Sequence, residues 1–414
     1  MKIAVIGTGI AGNIAAWKLS NDHDITVFEA ESRIGGHTNT VNVTEGGQTF
    51  SVDTGFIVFN EWTYPNFIQI LDELGVQSKN SSMGFSVQNP NAGLEYCASS
   101  INALFTQRRN ILRPAFYRMI RDILRFNREA PALLEDDSTN STLAEYLKRK
   151  NYSSEFIFDF VMPMGAAIWS SSVTLIQQMP AQFFVRFFKN HGLLSINDRP
   201  MWKVIENGSH NYVEALVTNF RNKIRLNSKV ESITRQSAYI GVNVSGQEEE
   251  QFDAVFIATH SDQALKLLRD PTQLEWDTLN AIRYQENEAI LHTDTSLLPS
   301  KRRAWAAWNA HMQSHLQHPV SVTYNMNILQ GLPTTKQYMV TLNHCDSIDP
   351  DKIIDRYKYS HPVFTPEAVN AQKQHEQING FDRIYYCGAY WRYGFHEDGV
   401  ISALNAIKHF QNRH

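Results

Sequence analysis

The chain has 414 residues, 43% apolar residues and a formal net charge of −4 at pH 7. Its length exceeds that of one typical domain and its composition suits a folded protein with large cores, so we expect two domains. The slightly acidic balance offers no overall attraction to nucleic acid, and we expect no nucleic-acid partner.

The cysteines and the N-terminal residues bear on the cellular compartment. Cys97, Cys345 and Cys387 are widely spaced, which indicates neither a disulfide framework nor a dithiol redox centre and favours a reducing compartment. Met1 runs directly into a predicted strand, so we expect no cleavable signal peptide, and no apolar stretch has the length of a membrane span. These features predict a cytoplasmic protein.

The first predicted unit is a strand, a glycine-rich turn, a helix and a second strand within residues 1–29. In the turn, Gly7 permits a tight bend, Gly9 lets the backbone approach a pyrophosphate, and Gly12 lets the helix pack on the strand. The helix N-terminus would hold the anion, and Glu29 would bind ribose hydroxyls. An ordinary glycine turn is the alternative, but the flanking elements favour a dinucleotide site. The expected contacts are Gly7, Gly9, Ile10, Ala11, Gly12, Glu29 and Ala30.

Residues 29–37 read Glu-Ala-Glu-Ser-Arg-Ile-Gly-Gly-His. They resemble the ExxxRxGGR extension of flavoproteins of the amine oxidase and phytoene desaturase superfamily. The resemblance implies that FAD is the cofactor, with Arg33, Gly35 and Gly36 along its pyrophosphate and ribityl chain. His37 stands where the family usually has arginine and is expected at the same contact.

Residues 40–43 and 50–52 alternate like two strands around a glycine turn. The loop that follows resembles the one that passes the isoalloxazine ring in this superfamily, which implies contacts from Thr54, Gly55, Phe56 and Ile57. A helix is predicted from residue 64 to Leu74, closed by Gly75.

Residues 105–129 are predicted to form one basic helix with an apolar side and an arginine side. One interpretation is a surface helix that packs its apolar stripe on the core; the other is an interfacial helix for an anionic membrane on the inner face. The stripe comprises Leu112, Phe116, Met119, Ile120, Ile123, Leu124 and Phe126, and the opposite side carries Arg113, Arg118, Arg121, Arg125 and Arg128.

Two apolar segments follow. Residues 162–169 are rich in small residues and predict a turn that another surface approaches closely, either a flavin edge or a neighbouring helix. The second segment suits either an apolar substrate tunnel or, as we prefer, a core. It contains Phe183, Phe184, Phe187, Phe188, Leu193 and Leu194.

An α/β pattern returns after residue 207, with a helix at 212–220 and strands at 224–226, 230–233 and 252–258. This part resembles the second FAD-domain segment of the superfamily, which implies that the backbone near Val230 contacts adenine. Strands are also predicted at 288–291 and 338–342. The helical spacing of His311, His315 and His318 suits a metal site, but no further ligand completes it, and we prefer a polar surface face.

The C-terminal segment is a predicted strand at 383–388, a short motif and a helix at 400–410. It resembles the superfamily motif in which a helix N-terminus points at flavin N1 and the C2 carbonyl. The implied contacts are Gly388, Asp398, Gly399 and Val400, with Asp398 as the helix N-cap. Ala389 and His396 depart from the usual pattern of the family.

The candidate catalytic residues lie in the same motif and are Tyr390, Trp391, Tyr393, His396 and Glu397. We expect His396 to act as acid or base near neutral pH. The structural alternatives for these residues are flavin packing and helix capping. For Glu397 we weigh the catalytic and the structural role equally.

These segments predict an α/β protein. A Rossmann-like FAD-binding domain of the glutathione-reductase type would comprise residues 1–75, 203–270 and 378–414. A mixed α+β substrate domain would comprise residues 76–202 and 271–377. A second GxGxxG motif is absent from the sequence, so we expect no separate NAD(P)H domain, and we find no attachment cysteine, so we expect non-covalent FAD.

The segments 53–60, 163–170 and 392–399 resemble those of bacterial predicted NAD/FAD-binding proteins associated with methyltransferases similar to cyclopropane fatty acid synthase. This resemblance implies a fatty-acyl or phospholipid substrate and a lipid methyltransferase partner. The expected activity is hydride transfer to flavin N5 in a dehydrogenase, desaturase or double-bond isomerase. A flavin-dependent amine oxidase is one alternative, and a non-catalytic flavin-binding partner of a lipid-modifying enzyme is another.

Overall fold

The computed structural model describes residues 1–135, 141–312 and 320–413. The strands are β1 (Lys2–Ile6), β2 (Asp24–Phe28), β3 (Thr40–Glu45), β4 (Gln48–Asp53), β5 (Phe59–Asn60), β6 (Ser78–Asn80), β7 (Phe85–Asn89), β8 (Leu94–Cys97), β9 (Trp202–Ile205), β10 (Ile224–Arg225), β11 (Val230–Arg235), β12 (Ile240–Val244), β13 (Glu250–Phe252), β14 (Ala254–Ile257), β15 (Arg283–His292), β16 (Trp308–His311), β17 (Ser321–Asn325), β18 (Met339–Leu342), β19 (Ile353–Val363) and β20 (Ile384–Tyr386).

The α-helices are α1 (Ile10–Leu19), α2 (Pro65–Leu74), α3 (Ile101–Leu104), α4 (Pro114–Glu129), α5 (Leu143–Arg149), α6 (Ser154–Phe156), α7 (Met162–Trp169), α8 (Val173–Gln178), α9 (Ala181–Asn190), α10 (His210–Val217), α11 (Ser261–Leu267), α12 (Gln273–Ala281), α13 (Met326–Gln330), α14 (Pro366–Ala371), α15 (His375–Ile378) and α16 (His396–Gln411). None of those in the described part of the chain is both long enough and apolar enough to span a membrane.

A five-stranded parallel sheet, in the order β10-β2-β1-β14-β20, forms the centre of the nucleotide-binding part. Its central strands are continuous apolar runs because a parallel sheet is covered on both faces. Helices α1, α2, α10 and α16 pack on one face, and the small sheet β11-β12-β13 lies against the other. Because β1 leads into α1, and β20 into α16, both helix N-termini lie at the carboxyl edge of the sheet. The predicted α/β fold class is confirmed.

A second, seven-stranded sheet has the order β19-β15-β18-β17-β16-β7-β8. Its pairs are antiparallel except β16 with β7. The longest pair is β15 with β19, aligned from Arg283 opposite Val363 to His292 opposite Ile353. Helices α4 to α9 share a large apolar core with this sheet. The strands of the two sheets therefore come from alternating stretches of the chain.

Three predicted elements differ from the elements that the structure contains. The basic helix begins at Pro114, not at residue 105, since proline favours the first helical turn, and residues 108–112 form a separate 3₁₀ turn. Residues 162–169 form helix α7 instead of a turn. Residues 252–258 divide into β13 and β14, which belong to different sheets. Asp253 lies at the division, where its carboxylate accepts a hydrogen bond from the Lys2 N–H.

The histidines with helical spacing do not form a helical face. His311 ends strand β16, while His315 and His318 lie outside the described residues. Cys97, Cys345 and Cys387 are free thiols, and all three are buried.

Candidate active site

The turn between β1 and α1 leaves room for an anion. Gly7 has a φ of +99°, and a Cβ there would lie 3.0 Å from the Ala258 carbonyl oxygen. A Cβ on Gly12 would lie 1.9 Å from the Gly7 oxygen, so these glycines are required by close packing. At Gly9, by contrast, a Cβ would meet no described atom within 4 Å. No described side chain caps α1 and its first turn carries no acid, so its N–H groups remain for a ligand, as a pyrophosphate requires.

Glu29 lies over this turn from the end of β2. Its carboxylate accepts hydrogen bonds from the Thr8 N–H at 2.9 Å, from the Thr8 hydroxyl and from the Glu31 N–H at 3.0 Å. The neighbouring Ala30 is exposed. The Ser228 N–H donates to the Glu29 carbonyl oxygen at 2.8 Å, which places the start of β11, with Val230, beside Glu29. The residues that the sequence predicts at the adenosine end of FAD, Glu29, Ala30 and Val230, therefore lie close together.

The extension after Glu29 lies across the glycine turn. Gly36 has a φ of +58°, and a Cβ there would lie 2.9 Å from the Gly9 Cα. Arg33 donates to the Gly36 carbonyl oxygen at 2.7 Å and to the Thr38 oxygen at 2.9 Å, so it fixes its own loop. Gly35, with a φ of +124°, is buried at the bend.

The loop after β4 is held from several directions. Asp53 is fully buried and accepts hydrogen bonds from Thr40, Ser209 and Gln330, and burial raises its pKa to about 6. The Thr54 hydroxyl is 3.0 Å from the Tyr359 hydroxyl.

The next three residues of this loop differ in their contacts. A Cβ on Gly55 would lie 2.0 Å from the His37 oxygen, so this loop and the extension run against each other. Phe56 stacks on His396 with ring centroids 3.5 Å apart, whereas Ile57 faces the core of the second sheet. Gly55 and Phe56 both touch the extension, because the Phe56 N–H donates to the His37 carbonyl oxygen at 3.0 Å.

The N-terminus of α16 meets that of α1. A Cβ on Gly399 would lie 2.6 Å from the Ile10 Cγ2, so only glycine permits this close crossing. The adjacent Val400 is fully buried, and Ser402 accepts a hydrogen bond from the Gly388 N–H at 2.8 Å. Two helix N-termini therefore face the same region, which suits a ligand with negative charge at two places.

Asp398 caps α16, but the predicted position within the cap is wrong. The helix begins at His396 with Phe395 as N-cap, so Asp398 lies in the first turn. Its Oδ2 accepts hydrogen bonds from the Phe395 N–H at 3.0 Å and the Tyr393 N–H at 3.1 Å, and Arg392 forms an ion pair with Oδ1 at 3.2 Å. Burial raises the pKa of Asp398 to about 7.

His396 does not titrate near neutral pH, contrary to the expectation from sequence. Burial lowers the pKa of His396 to about 3, so the imidazole is neutral. Its Nε2 lies 3.0 Å from both the Thr38 and the Tyr212 hydroxyls. The residue therefore acts in this structure as a neutral hydrogen-bonding group against Phe56.

Glu397 binds the N-terminus of a different helix. Its Oε1 accepts hydrogen bonds from the Asn66 N–H at 3.1 Å and the Asn66 side chain at 2.6 Å, and its Oε2 accepts one from the Phe67 N–H at 2.9 Å. Both oxygens are engaged at the start of α2, and the side chain is 4% exposed. This is the capping alternative, although the partner helix is α2 and not α16.

The three aromatic candidates separate into two places. Tyr390 and Trp391 are buried in the core beneath the parallel sheet, where Trp391 packs edge-on against His375. Tyr393 instead lies among aromatic side chains of the second sheet and its helices. The structure therefore brings only Tyr393 to the region between the two sheets.

A group that the sequence analysis did not single out lies between the sheets, and we call it the histidine cluster: His37, His260 and His361. The ring centroids of His37 are 6.1 Å from His260 and 5.3 Å from His361. Tyr359 stacks on His37 at 5.0 Å. No motif indicated this cluster, because it is assembled from three distant segments; the histidine in the arginine position was the only signal.

A second group is the aromatic cluster, which is composed of Trp169, Phe183, Phe187, Phe364 and Tyr393. Phe183 lies 4.8 Å from Phe364 and 4.7 Å from Tyr393 between ring centroids, and Trp169 lies 4.8 Å from Phe187. The predicted phenylalanine stripe of α9 is thus buried, and one side of it faces this cluster.

Comparison with known proteins agrees with this geometry. The family described as flavin containing amine oxidoreductase matches residues 10–315. Cyclohexylamine oxidase from Brevibacterium oxydans IH-35A is similar in structure, with a TM-score of 0.73, 14% identity and coverage of 100% of this chain and 99% of that one. A putative protoporphyrinogen oxidase from Exiguobacterium sp. 255-15 has a TM-score of 0.70, 15% identity and coverage of 100% and 99%.

A CLA-producing fatty acid isomerase from P. acnes has a TM-score of 0.69, 14% identity and coverage of 99% of this chain and 98% of that one. No curated protein matches the sequence. The family match covers most of the chain and includes α1, the extension and the loop after β4. The chain belongs to the flavin-containing amine oxidoreductase family and is an FAD-dependent oxidoreductase.

Proposed function

We propose that this enzyme acts on the apolar chain of a fatty-acyl or phospholipid substrate, from which it removes hydride or in which it relocates a double bond. The observation that carries the proposal is the aromatic cluster, whose Phe364 follows the end of the strand that carries His361. When bound, FAD supplies the hydride acceptor, flavin N5. The protein supplies binding, orientation and exclusion of water.

Strand β19 connects the two clusters. Tyr359 and His361 lie on one face of this strand, and Phe364 follows directly after its end. Three residues of extended chain span about 10 Å. An acyl chain of ordinary length would extend over the aromatic cluster beyond the end of β19.

The polar end of this region carries neutral hydrogen-bonding groups. The Asn287 amide nitrogen donates to the Gln285 carbonyl oxygen at 3.1 Å, and the Asn287 oxygen accepts from Asn343 at 2.7 Å, so the orientation of the amide is fixed. The same nitrogen lies 2.8 Å from the His361 Nδ1, which must accept, leaving the proton on Nε2. Burial lowers the pKa of His361 to about 4, so the ring is a neutral donor at pH 7.

Neutral lining suits an uncharged chain. Burying a charged ammonium group would require a paired partner, whereas each CH₂ removed from water contributes about 0.8 kcal/mol. The structural comparisons do not choose between substrates: the amine oxidase and the fatty acid isomerase each share 14% identity with this chain.

The test is anaerobic reduction of the enzyme-bound flavin by a panel of unsaturated fatty acids, phospholipids, carotenoid precursors, amines and amino acids. Because an isomerase returns the hydride, double-bond positions are also analysed by gas chromatography. We expect fatty-acyl compounds to react and Phe364→Ala to raise their KM at least about tenfold, which equals about 1.4 kcal/mol. The control is Phe381→Ala, a 44% exposed ring outside the cluster.

Two outcomes would overturn the proposal. Flavin bleaching by simple amines but by no acyl compound would identify an amine oxidase. A flavin that stays oxidised, with no product from any compound, would favour the non-catalytic flavin-binding partner of a lipid methyltransferase.

We also propose that the enzyme reaches its substrate at an anionic membrane, through residues 101–117. The apolar stripe expected to insert is buried at Phe116, Met119 and Phe126, so it packs on the core. Two members of the stripe are exposed, Leu112 by 86% and Leu124 by 48%. Outside the stripe, Ile101 is exposed by 79%, and Ile111 and Tyr117 by 47% each.

Cationic side chains surround this patch. Arg108 and Arg109 are exposed, and Arg108 donates to Asn102, which joins the turn at 108–112 to helix α3. Further along the helix, Arg118 pairs with Glu155 and Arg125 with Glu129, so their charges are partly balanced. Exposed apolar groups flanked by arginines are the combination that binds anionic lipid surfaces.

The test is flotation with anionic and neutral liposomes. We expect binding to anionic vesicles that weakens with salt and that falls at least about tenfold when Ile101 and Leu112 are both changed to Asp. The control is Ile196→Asp, since this apolar residue is 63% exposed outside the patch. Equal flotation of wild type and the double variant would refute the proposed membrane-docking surface. It would leave the substrate proposal unaffected.

A further inference from the structure

The histidine cluster flanks the turn that presents the N-terminus of α1. His37 directly follows Gly36, where a Cβ would lie 2.9 Å from the Gly9 Cα. His260 follows Thr259, whose Cγ2 lies 3.7 Å from the position of a Cβ on Gly7. His361 reaches the same place from β19, with its ring 5.3 Å from that of His37. Two of the three histidines therefore follow residues that touch the glycine turn, and the rings of His260 and His361 both pack near that of His37.

We propose that the histidine cluster binds the FAD pyrophosphate together with the N-terminus of α1, and that His37 takes up a proton when FAD binds while His361 stays neutral. FAD affinity in this chain then depends on pH. The proposal rests on membership of the flavin family and is independent of the lipid substrate.

Without a ligand the cluster disfavours positive charge. Burial, followed by repulsion from His361 and His260, lowers the pKa of His37 well below its usual value. The Nε2 of His37 is buried and has no hydrogen-bond partner among the described residues. An anion close to the rings would reverse both effects, because it supplies an acceptor and stabilises imidazolium. The cluster is thus prepared for a negatively charged ligand.

Other charged groups face the cluster and influence the pKa values of its histidines. Arg33 and His396 oppose protonation of His37, whereas Asp262 favours protonation of His260. Tyr359 and Tyr284 stack on His37 and His260 without charge at neutral pH. Arg33 is occupied by its own loop, so it leaves part of the phosphate charge to the histidines.

The sign of the linkage follows from these shifts. The free cluster is neutral at pH 7, because the pKa of His361 is about 4 and that of His37 is lower than usual. Bound pyrophosphate raises the pKa of His37, so a proton enters with FAD. Affinity is then highest at low pH and falls as pH rises through the pKa of the complex. The slope approaches tenfold per pH unit for one proton.

The experiment measures FAD release from the holoenzyme. A dilution series at each pH from 5.5 to 8.5 gives the FAD dissociation constant from flavin fluorescence. ADP-ribose, which carries the same pyrophosphate without the flavin, is used as a competitor over the same range. We expect both affinities to fall with rising pH in the wild type.

Three variants separate the cluster from other titrating groups. Asp53 and Asp398, with pKa values of about 6 and 7, titrate in this range and contribute equally to all variants. We expect His37→Arg to bind FAD at least as tightly with a flatter pH slope, and His37→Gln to bind more weakly with a flatter slope. His311→Gln alters a histidine at the end of strand β16, whose ring lies 5.0 Å from that of His344 and outside the histidine cluster, and this variant should keep the wild-type slope.

Several results would overturn the inference. These are a wild-type affinity that does not change with pH, or a slope that is unchanged in both His37 variants. A slope seen with FAD but not with ADP-ribose would also overturn it, because the flavin ring and not the pyrophosphate would then be the partner. Circular dichroism of each variant shows that the comparison is between folded proteins.

Discussion

Substitution of Glu397 tests whether this residue of the C-terminal motif takes part in catalysis or stabilises the fold. Its buried carboxylate accepts three hydrogen bonds at the start of α2, two of them from the backbone N–H groups of Asn66 and Phe67. Glu397→Ala removes the acceptor and leaves these donors without a partner. The negative charge at a helix N-terminus is lost as well.

The expected loss of stability is large. Each buried donor left unsatisfied costs about 1–3 kcal/mol, and three donors lose their acceptor here. We expect Glu397→Ala to lower the free energy of unfolding by about 3–5 kcal/mol. At about 2 °C for each kcal/mol, the melting temperature should fall by about 6–10 °C.

The assay is urea unfolding of the holoenzyme, followed by tryptophan fluorescence. A double-mutant cycle with Asn66→Ala isolates the 2.6 Å side-chain bond and should give a coupling of about 1–2 kcal/mol. Glu73→Ala, on the exposed side of the same helix, should change stability by less than about 0.5 kcal/mol. Unchanged unfolding together with lost flavin reduction would refute the capping role and restore Glu397 as a catalytic candidate.

Three further predictions follow from single contacts. Gly9→Ala should fold normally but bind FAD more weakly in a fluorescence titration, whereas Gly12→Ala should lower the unfolding midpoint, because only the second Cβ meets backbone. His396→Gln should leave the shape of the pH profile of flavin reduction unchanged between pH 5 and 9, since the pKa of His396 is about 3. Arg235→Met should lower the free energy of unfolding by about 3–5 kcal/mol in urea, because it leaves the buried Glu275 without its ion pair.

The strand, glycine turn and helix at the start of the chain were predictable because they are built locally. A strand, a turn and a helix N-terminus form from adjacent residues, and the turn is recognised by glycines whose spacing is fixed by backbone contact. Glu29 reaches the turn from the next strand of the same unit. The prediction therefore needed no knowledge of distant packing.

The roles of His396 and Glu397 could not be predicted in the same way. Both lie in the correct motif, but the groups that define their roles come from elsewhere in the chain. Thr38 and Tyr212 surround the imidazole, and Asn66 holds the carboxylate. A pKa of about 3 results from burial, which depends on the complete packed structure.

The region between the sheets depends on strand register. Asn287 lies opposite Tyr359, and Gln285 lies opposite His361, in the long pair of β15 with β19. Because side chains alternate along a strand, a shift by one residue would turn Tyr359 and His361 to the other face of the sheet. The histidine cluster would then lose one of its three members.

We expect FAD binding and substrate choice to depend on different parts of the structure. FAD binding uses backbone groups that a glycine turn exposes, so many sequences with that turn can bind it. We expect the substrate to be selected instead by the aromatic cluster, in which Phe364 follows the end of β19 and packs on Phe183, and Phe183 packs on Tyr393. A change along this strand should therefore alter which compound is oxidised while FAD remains bound, provided that His361 keeps its place beside the pyrophosphate site.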